Sequence, residues 1–145
     1  MINTKNINEA RKQIQKLKKE KKKIIVQAQE SEFNRKIIEN KDVDIFLDPH
    51  IHKRKSPLKQ KDSGLNEILC KIAKKNNIKI GLTLSKIKSS KNKSIVLARV
   101  MQNIRLCKKT GTEIILLGRY DKKDAFSFLL SLGCSTSQAK KAIAA

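Results

Sequence analysis

Residues 43–84 read VDIFLDPHIHKRKSPLKQKDSGLNEILCKIAKKNNIKIGLTL. The run 43–47 is short and apolar and is closed by Asp48-Pro49, which is typical of a buried strand. Apolar residues then recur at helical spacing over 65–73, and a second apolar run follows at 78–84. This order predicts a strand, a helix and a second strand that is parallel to the first.

Between the first strand and the helix lies an acid-free basic segment at 50–61, HIHKRKSPLKQK. Because it leaves the carboxyl end of a strand, it lies where α/β folds usually place their binding sites. The helix after it is expected to be capped by Asp62 or Ser63. A second acid-free basic loop is predicted at 85–93, SKIKSSKNK, after the next strand. The candidate phosphate-binding residues of the two segments are Lys53, Arg54, Lys55, Lys59, Lys61, Lys86, Lys88, Lys91 and Lys93.

The rest of the chain extends the same alternation of strands and helices. Strands are predicted at 24–28 and 113–118, and a long helix before the latter should place Arg99 and Asn103 on its polar face. We expect a single α/β domain over 1–145 with a parallel sheet of about four βα units. Its parts are a basic N-terminal helix at 1–23, the βα units at 24–133 and a short C-terminal helix at 134–145.

The predicted strands form part of a (β/α)₈ barrel or an open sheet. A closed eight-stranded barrel typically needs about 200 residues or more, and the chain has 145. We therefore expect exposed sheet edges, covered by the N-terminal helix or by a partner. Capping residues are expected at Asn6, with Glu9 completing a capping box, at Ser31, and at Ser135 with Gln138.

The composition is strongly basic: 34 lysines and arginines against 13 acidic residues give a net charge of +21. Such a field favours a polyanion, with nucleic acid as the first candidate and an anionic membrane surface as the second. No apolar run approaches the ~20 residues needed to span a bilayer. The chain has no Trp and one Tyr, so contacts should go to phosphate instead of stacked bases.

The three cysteines are widely spaced and lie in apolar surroundings. They are expected to pack as small apolar residues in a reducing compartment, and they do not suggest a disulfide framework or a zinc site. The N-terminus is polar and lacks the apolar centre of a signal peptide. We therefore expect a cytoplasmic protein that is not attached to a membrane.

His50 and His52 are the weak candidates for metal binding. A His-x-His pair after a strand resembles the first motif of the PHP phosphoesterase superfamily. A catalytic metal site needs more ligands, however, and the chain has no other histidine. The dense positive charge would also disfavour a cation. The alternative is that both histidines are loop residues near phosphates. No glycine-rich phosphate loop or serine or cysteine nucleophile motif is present.

Several of these stretches together resemble the archaeal ribonuclease P protein component 3 family. The matching stretches are VDI at 43–45 with Pro49, KDSGLN at 61–66, AKKNNIKIGLTLS at 73–85, ARVMQNIRLCKK at 98–109 running into the strand at 114–118, and the helix from Asp124 to Gly133. The resemblance covers about 24–141. Two departures are evident: the family's opening strands have no match, and its Ser-Ser-Gly-Ala-like turn is replaced by Arg119-Tyr120-Asp121.

The resemblance implies a TIM-barrel-like subunit that is related to the PHP superfamily but lacks its catalytic metal ligands. It implies ribonuclease P RNA as a partner, and protein component 2 in a heterotetramer. The RNA would remove 5′ leaders from precursor tRNA with Mg²⁺, and the protein would bind no cofactor and be no enzyme alone. Two alternatives stay open: a general structured-RNA or ribosome-associated protein, and a PHP-like metal-dependent phosphoesterase using His50 and His52.

Overall fold

The computed structural model of the chain describes residues 1–54 and 62–144. Within these ranges four parallel strands form one sheet, and strands that follow one another in the chain are neighbours in the sheet. The predicted α/β class and parallel strands are confirmed. The strands are β1 Ile25–Gln27, β2 Ile45–Leu47, β3 Lys79–Thr83 and β4 Ile114–Leu117.

Helices connect the strands, as parallel pairing requires. Two helices, α4 and α5, follow β3, and two more, α6 and α7, follow β4. The helices of the described ranges are α1 Ile7–Lys19, α2 Ser31–Ile38, α3 Glu67–Lys75, α4 Leu84–Ser89, α5 Lys93–Thr110, α6 Lys122–Ser131 and α7 Thr136–Ile143. None of them is both long and apolar enough to cross a bilayer.

Both faces of the sheet are buried, which explains the continuous apolar runs of its strands. On one face Val26, Phe46 and Ile80 belong to the cluster that packs against the helices. On the other face Ile45 is fully buried and lies beside Gly81. A Cβ at Gly81 would come within 2.8 Å of the Ile45 side chain, so the glycine leaves room for the neighbouring strand.

The outer edge of β1 is paired with the start of the chain. The Ile2 amide donates to the Ile25 carbonyl at 2.8 Å, and the Gln27 amide donates to the Ile2 carbonyl at 2.9 Å. Ile2 is 1% exposed. A helix or a partner was predicted to cover the sheet edges, and the contact of Ile2 was not predicted because a single residue carries no periodic signal.

Several helix starts were predicted correctly. The Asn6 side chain accepts from the amides of Asn8 and Glu9, and Ser135 and Gln138 form a reciprocal capping box. The capping box expected between Asn6 and Glu9 was wrong, because the Asn6 amide donates to the Thr4 hydroxyl, which in turn donates to the Glu9 carboxylate. Ser31 was wrong as a cap, since it is the first residue of α2 and Glu30 precedes it without a side-chain cap bond.

The start of α3 was also placed wrongly. The cap is Asn66, whose side-chain oxygen accepts from the Leu69 amide at 2.8 Å, and neither Asp62 nor Ser63 caps the helix. The Asp62 carboxylate instead accepts from the Gly64 amide at 3.0 Å, within the turn that precedes the helix. The buried residues of α3 are Cys70 and Ala73, and Ile68 is 70% exposed.

The predicted basic loop at 85–93 was wrong as secondary structure. Residues 84–89 form α4, and Lys93 is the first residue of α5. Leu84 and Ile87, three positions apart, are both buried and anchor α4 to the core. The high lysine content obscured this one turn of apolar spacing.

Candidate nucleic-acid interface

The described members of the predicted RNA-binding set follow the carboxyl ends of β2 and β3, which meet at one edge of the parallel sheet. Lys55, Lys59 and Lys61 lie outside the described residues. Lys53 and Arg54 follow β2, Lys86 and Lys88 lie on α4, Lys91 lies between α4 and α5, and Lys93 begins α5. We call these six described residues the basic edge.

Part of the basic edge surrounds a groove of about 750 Å³ between the segment after β2 and the start of α5. Lys53, Arg54 and Lys91 line it, together with Arg99 from α5. Lys86, Lys88 and Lys93 are exposed or half-exposed but do not line it. We call this the basic groove. Its remaining lining residues are Ile51, His52, Ser90, Asn92, Ser94, Ile95, Val96 and Ala98.

Arg54 is held in place by protein groups. Its Nε donates to Asp62 Oδ2 at 3.0 Å and its Nη1 donates to the Gln29 carbonyl at 3.1 Å. Glu30 lies 3.7 Å from the same nitrogen. The guanidinium therefore ties the segment after β2 to the end of β1 and is largely buried.

Lys86 also has protein partners. Its Nζ donates to Gln27 Oε1 at 3.2 Å and lies 3.4 Å from Asp48 Oδ2. The lysine thus links the carboxyl ends of β1 and β2, and its charge is partly neutralised. Lys88, two residues further along α4, is exposed.

Asp48 terminates β2 in a left-handed conformation with φ of 51° and is fully buried. Its carboxylate accepts from the Thr83 amide at 2.9 Å and from the Thr83 hydroxyl at 2.9 Å. Burial raises the pKa of Asp48, and the bonds from Thr83 and the charge of Lys86 oppose this shift. The carboxylate joins the ends of β2 and β3.

His50 is completely buried, so the expectation of a loop residue near phosphates was wrong for it. Burial lowers its pKa to about 3, with a further contribution from the charges of Arg99, His52 and Lys86. Neither ring nitrogen has a hydrogen-bond partner among the described residues. The imidazole is therefore a neutral packing group beneath the basic edge.

His52 is fixed as a neutral imidazole. Its Nε2 lies 2.7 Å from the Asp62 carbonyl and its Nδ1 accepts from the Arg54 amide at 3.1 Å, which places the proton on Nε2. Burial, followed by the charges of Arg54 and Arg99, lowers its pKa. Both nitrogens are engaged by the backbone, so the ring is a poor metal ligand in this arrangement.

The described residues contain no group of three or more histidine, cysteine, aspartate or glutamate side chains placed to hold a metal ion. Around His50 and His52 the nearby charges include Lys86 and Arg99, which would repel a cation. The residues present therefore do not fit a PHP-like metal centre. The three cysteines are buried and free, as predicted.

Arg99 holds the segment after β2 in place, and its prediction on the polar face of the helix was wrong. It is 8% exposed, and its guanidinium donates to three carbonyls of the segment after β2. The distances from Nη1 to the carbonyls of His50 and His52 are 3.1 and 2.9 Å, and that from Nη2 to the Arg54 carbonyl is 3.4 Å.

Asn103, one helical turn after Arg99, has the same role. It is 2% exposed, and its side-chain nitrogen donates to the Ser63 carbonyl at 3.0 Å. A signal for both residues was present in the sequence. Positions 96, 99, 100, 103, 104 and 107 continue one stripe at spacings of three and four, so Arg99 and Asn103 fall inside the buried face.

Comparison with known proteins confirms the predicted resemblance. No protein-family model matches the chain. Ribonuclease P protein component 3 of Methanococcus maripaludis strain C6 is 30% identical over 117 residues, which are 79% of this chain and 47% of the relative. The protein of the same name from Methanothermobacter thermautotrophicus strain Delta H is 26% identical over an alignment of 152 positions, which covers 99% of this chain and 59% of the relative. The chain thus spans about half the length of the curated relatives it matches.

Two solved structures share the fold. A chain in a cryo-EM structure of archaeal ribonuclease P with mature tRNA superposes with a TM-score of 0.75 at 22% identity, covering 95% of this chain and 60% of that one. The crystal structure of an uncharacterized protein gives a TM-score of 0.64 at 10% identity, covering 94% of this chain and 36% of that one. The described fold therefore corresponds to only a part of each of these two chains.

Proposed function

We propose that the chain is a non-catalytic, RNA-binding subunit of ribonuclease P, which supports RNA-catalysed removal of 5′ leaders from precursor tRNA. The observation that carries the proposal is the similarity to archaeal proteins named ribonuclease P protein component 3. The net charge of +21 and the lysines gathered at one edge of the sheet agree with it. Three buried free thiols suit a reducing, cytoplasmic location.

The basic edge would act by neutralising phosphates. Lys53, Lys88, Lys91 and Lys93 are exposed, and a lysine held near a phosphate displaces a condensed counterion from the RNA. Such contacts position an RNA without reading its bases. Arg54, Arg99 and Lys86 have a different part, because their hydrogen bonds hold the segment after β2, which carries Lys53, and the carboxyl ends of β1 and β2.

The chemistry would belong to the RNA. His50 is enclosed and His52 has both ring nitrogens bonded, so neither is available to move a proton at a substrate. We propose that the Mg²⁺ of the reaction is bound by RNA, that the protein carries no cofactor of its own, and that its kinship with the PHP superfamily is one of fold without activity. Precursor tRNA would be met only within the holoenzyme.

The proposed protein partner is ribonuclease P protein component 2, in a heterotetramer. Affinity capture of the tagged chain from an archaeal lysate, with sequencing of bound RNA and mass spectrometry of bound protein, tests RNA and protein together. Enrichment of ribonuclease P RNA and component 2 is the expected result. Broad recovery of ribosomal RNA would instead identify a general structured-RNA binder, and precursor tRNA cleavage by the RNA-free protein would refute a non-catalytic role.

A further inference from the structure

The N-terminus of α5 opens into the basic groove without a cap from its own side chains. Asn92 is the N-cap residue but makes no side-chain cap bond, and the first turn has no acidic residue. The amides of Lys93, Ser94 and Ile95 therefore have no intrahelical acceptor. Since α5 has 18 residues, its dipole adds positive partial charge at this end.

Arg99 supplies a second, independent feature of the same groove. Its side chain lines the groove and is 8% exposed, and Nε has no hydrogen-bond partner within the described part of the chain. The other guanidinium nitrogens bind neutral carbonyls, and the Asp62 carboxylate, which pairs with Arg54, also acts on the Arg99 charge. A fixed, buried guanidinium thus lines the same groove as the first turn of α5.

The walls of the groove carry two exposed charges and two apolar side chains. Lys53 and Lys91 are exposed and form no ion pair with any described residue. Ile51 and Ile95 are 38% and 48% exposed. Donors at the base, cations on the walls and apolar rims match a phosphate that carries ribose on both sides better than they match a free phosphate ion.

We propose that the basic groove holds one backbone phosphodiester of the bound RNA. The first-turn amides of α5 receive its oxygens, Lys53 and Lys91 neutralise it, and Arg99 fixes the segment that carries Lys53. The proposal rests on the proposed function and makes it more specific, because it names one phosphate site within a broadly basic edge. Lys88 and Lys93 extend the positive surface beyond the groove.

Two matched substitutions test this site. Ser94→Asp puts a carboxylate at the second position of α5, where it accepts from the first-turn amides and repels phosphate. Ser137→Asp makes the same change at the second position of α7, where the serine is also exposed. Ser137 lies near Gly111 and Ile114, at the opposite end of the strands. Both variants should fold, because an acid in the first turn favours a helix.

Affinity for an in-vitro transcript of an archaeal ribonuclease P RNA is measured by fluorescence anisotropy over a range of salt concentrations. For Ser94→Asp we expect roughly a tenfold loss of affinity and a fall of about 0.9 in the slope of log affinity against log salt. Ser137→Asp should stay within about twofold of the wild type, because its charge lies outside the interface. Lys91→Ala against Lys140→Ala on α7 repeats the comparison without adding an acid.

The outcomes separate this inference from the function on which it rests. Equal losses for Ser94→Asp and Ser137→Asp, with wild-type binding intact, would overturn the phosphate site and leave an RNA-binding subunit. A wild-type protein that binds no RNA would overturn both. NMR titration provides a further test. If the Ser94 and Ile95 amide signals shift with inorganic phosphate but not with a 12-base-pair RNA duplex, the site binds a free anion and the phosphodiester proposal is wrong.

Discussion

The Asp48 carboxylate accepts two hydrogen bonds from Thr83, one from its amide and one from its hydroxyl, each 2.9 Å long. The two residues are 35 positions apart and end neighbouring strands. This pair fixes the carboxyl ends of β2 and β3 relative to each other. The basic edge is built directly on those ends, so its geometry depends on a buried carboxylate that never reaches the surface.

Replacing Asp48 with Ala should destabilise the fold by about 2–5 kcal/mol. A buried amide left without its acceptor costs about 1–3 kcal/mol. A left-handed φ of 51° costs a further ~1–2 kcal/mol for alanine. Asp48→Asn is the control, because asparagine tolerates this conformation and keeps one acceptor. Urea unfolding checks both, and an alanine variant as stable as the asparagine variant would contradict the role given to the conformation.

Gly64 and Gly118 provide a second comparison. Both have positive φ, 87° and 94°, so alanine is strained at either position. A Cβ at Gly64 would overlap the Pro49 carbonyl, whereas a Cβ at Gly118 meets no described heavy atom within 4 Å. Gly118→Ala should cost about 1–2 kcal/mol, and Gly64→Ala distinctly more. Equal melting temperatures for the two variants would mean that the turn before α3 can move away from the Pro49 carbonyl without loss of stability.

His50 should make stability depend on pH. Its pKa is about 3 in the fold against 6.5 for an ordinary histidine, so between these values the unfolded chain binds more protons. The contribution is complete above pH 6.5 and is lost as the pH falls toward 3, by up to about 1.4 kcal/mol per pH unit. Asp48, whose pKa is raised, acts with the opposite sign in the acid range.

The measurement is the free energy of unfolding in urea at several values between pH 4 and 7.5. His50→Phe is the reference, since a ring without a titrating nitrogen removes only this contribution. The wild type should lose stability relative to the variant as the medium is acidified. Parallel curves for the two proteins would show that His50 is protonated in the fold.

Arg99→Met should release the segment after β2. Each carbonyl loses a charged donor, and hydrogen bonds of that kind contribute about 1.5–3 kcal/mol each. Hydrogen exchange should therefore speed up at residues 50–54 before it does so in the strands. Arg105→Met, on an exposed position of the same helix, is the control. Unchanged exchange at 50–54 in the Arg99 variant would mean that other contacts hold this segment.

The strands were predictable because they are buried on both faces, so Ile45 and Phe46 are both apolar and need no alternation. The cap at Ser135 was predictable because a capping box is a contact between residues three apart. The partners of Arg99, Asn103 and Ile2 were missed for the opposite reason. These partners lie 23 to 49 positions away, and local spacing, which places Arg99 and Asn103 in the buried stripe of α5, does not say which backbone groups they will meet.

In the candidate site, too, local features could be predicted from the sequence and long-range contacts could not. Its charge could be predicted by counting, and its place at the carboxyl ends of the strands followed from parallel topology. Which basic side chains have protein partners could not be predicted. Arg54 is hydrogen-bonded to Asp62, and Lys86 is hydrogen-bonded to Gln27 and lies beside Asp48. Burial of His50 depends on its position beneath Arg99, which sequence spacing does not reveal.

Replacing Lys86 with Ala and replacing Lys88 with Ala should therefore have different effects on stability and on RNA binding. Lys86 donates to Gln27 and lies beside Asp48, so its loss leaves a buried carboxylate with less compensation and should lower stability. Lys88 is exposed and forms no ion pair among the described residues, so its loss should leave unfolding unchanged. If it contacts a phosphate, the slope of log affinity against log salt should fall by up to ~0.9. Urea unfolding and RNA titration on both variants check this, and the idea fails if Lys88→Ala alters stability while Lys86→Ala does not.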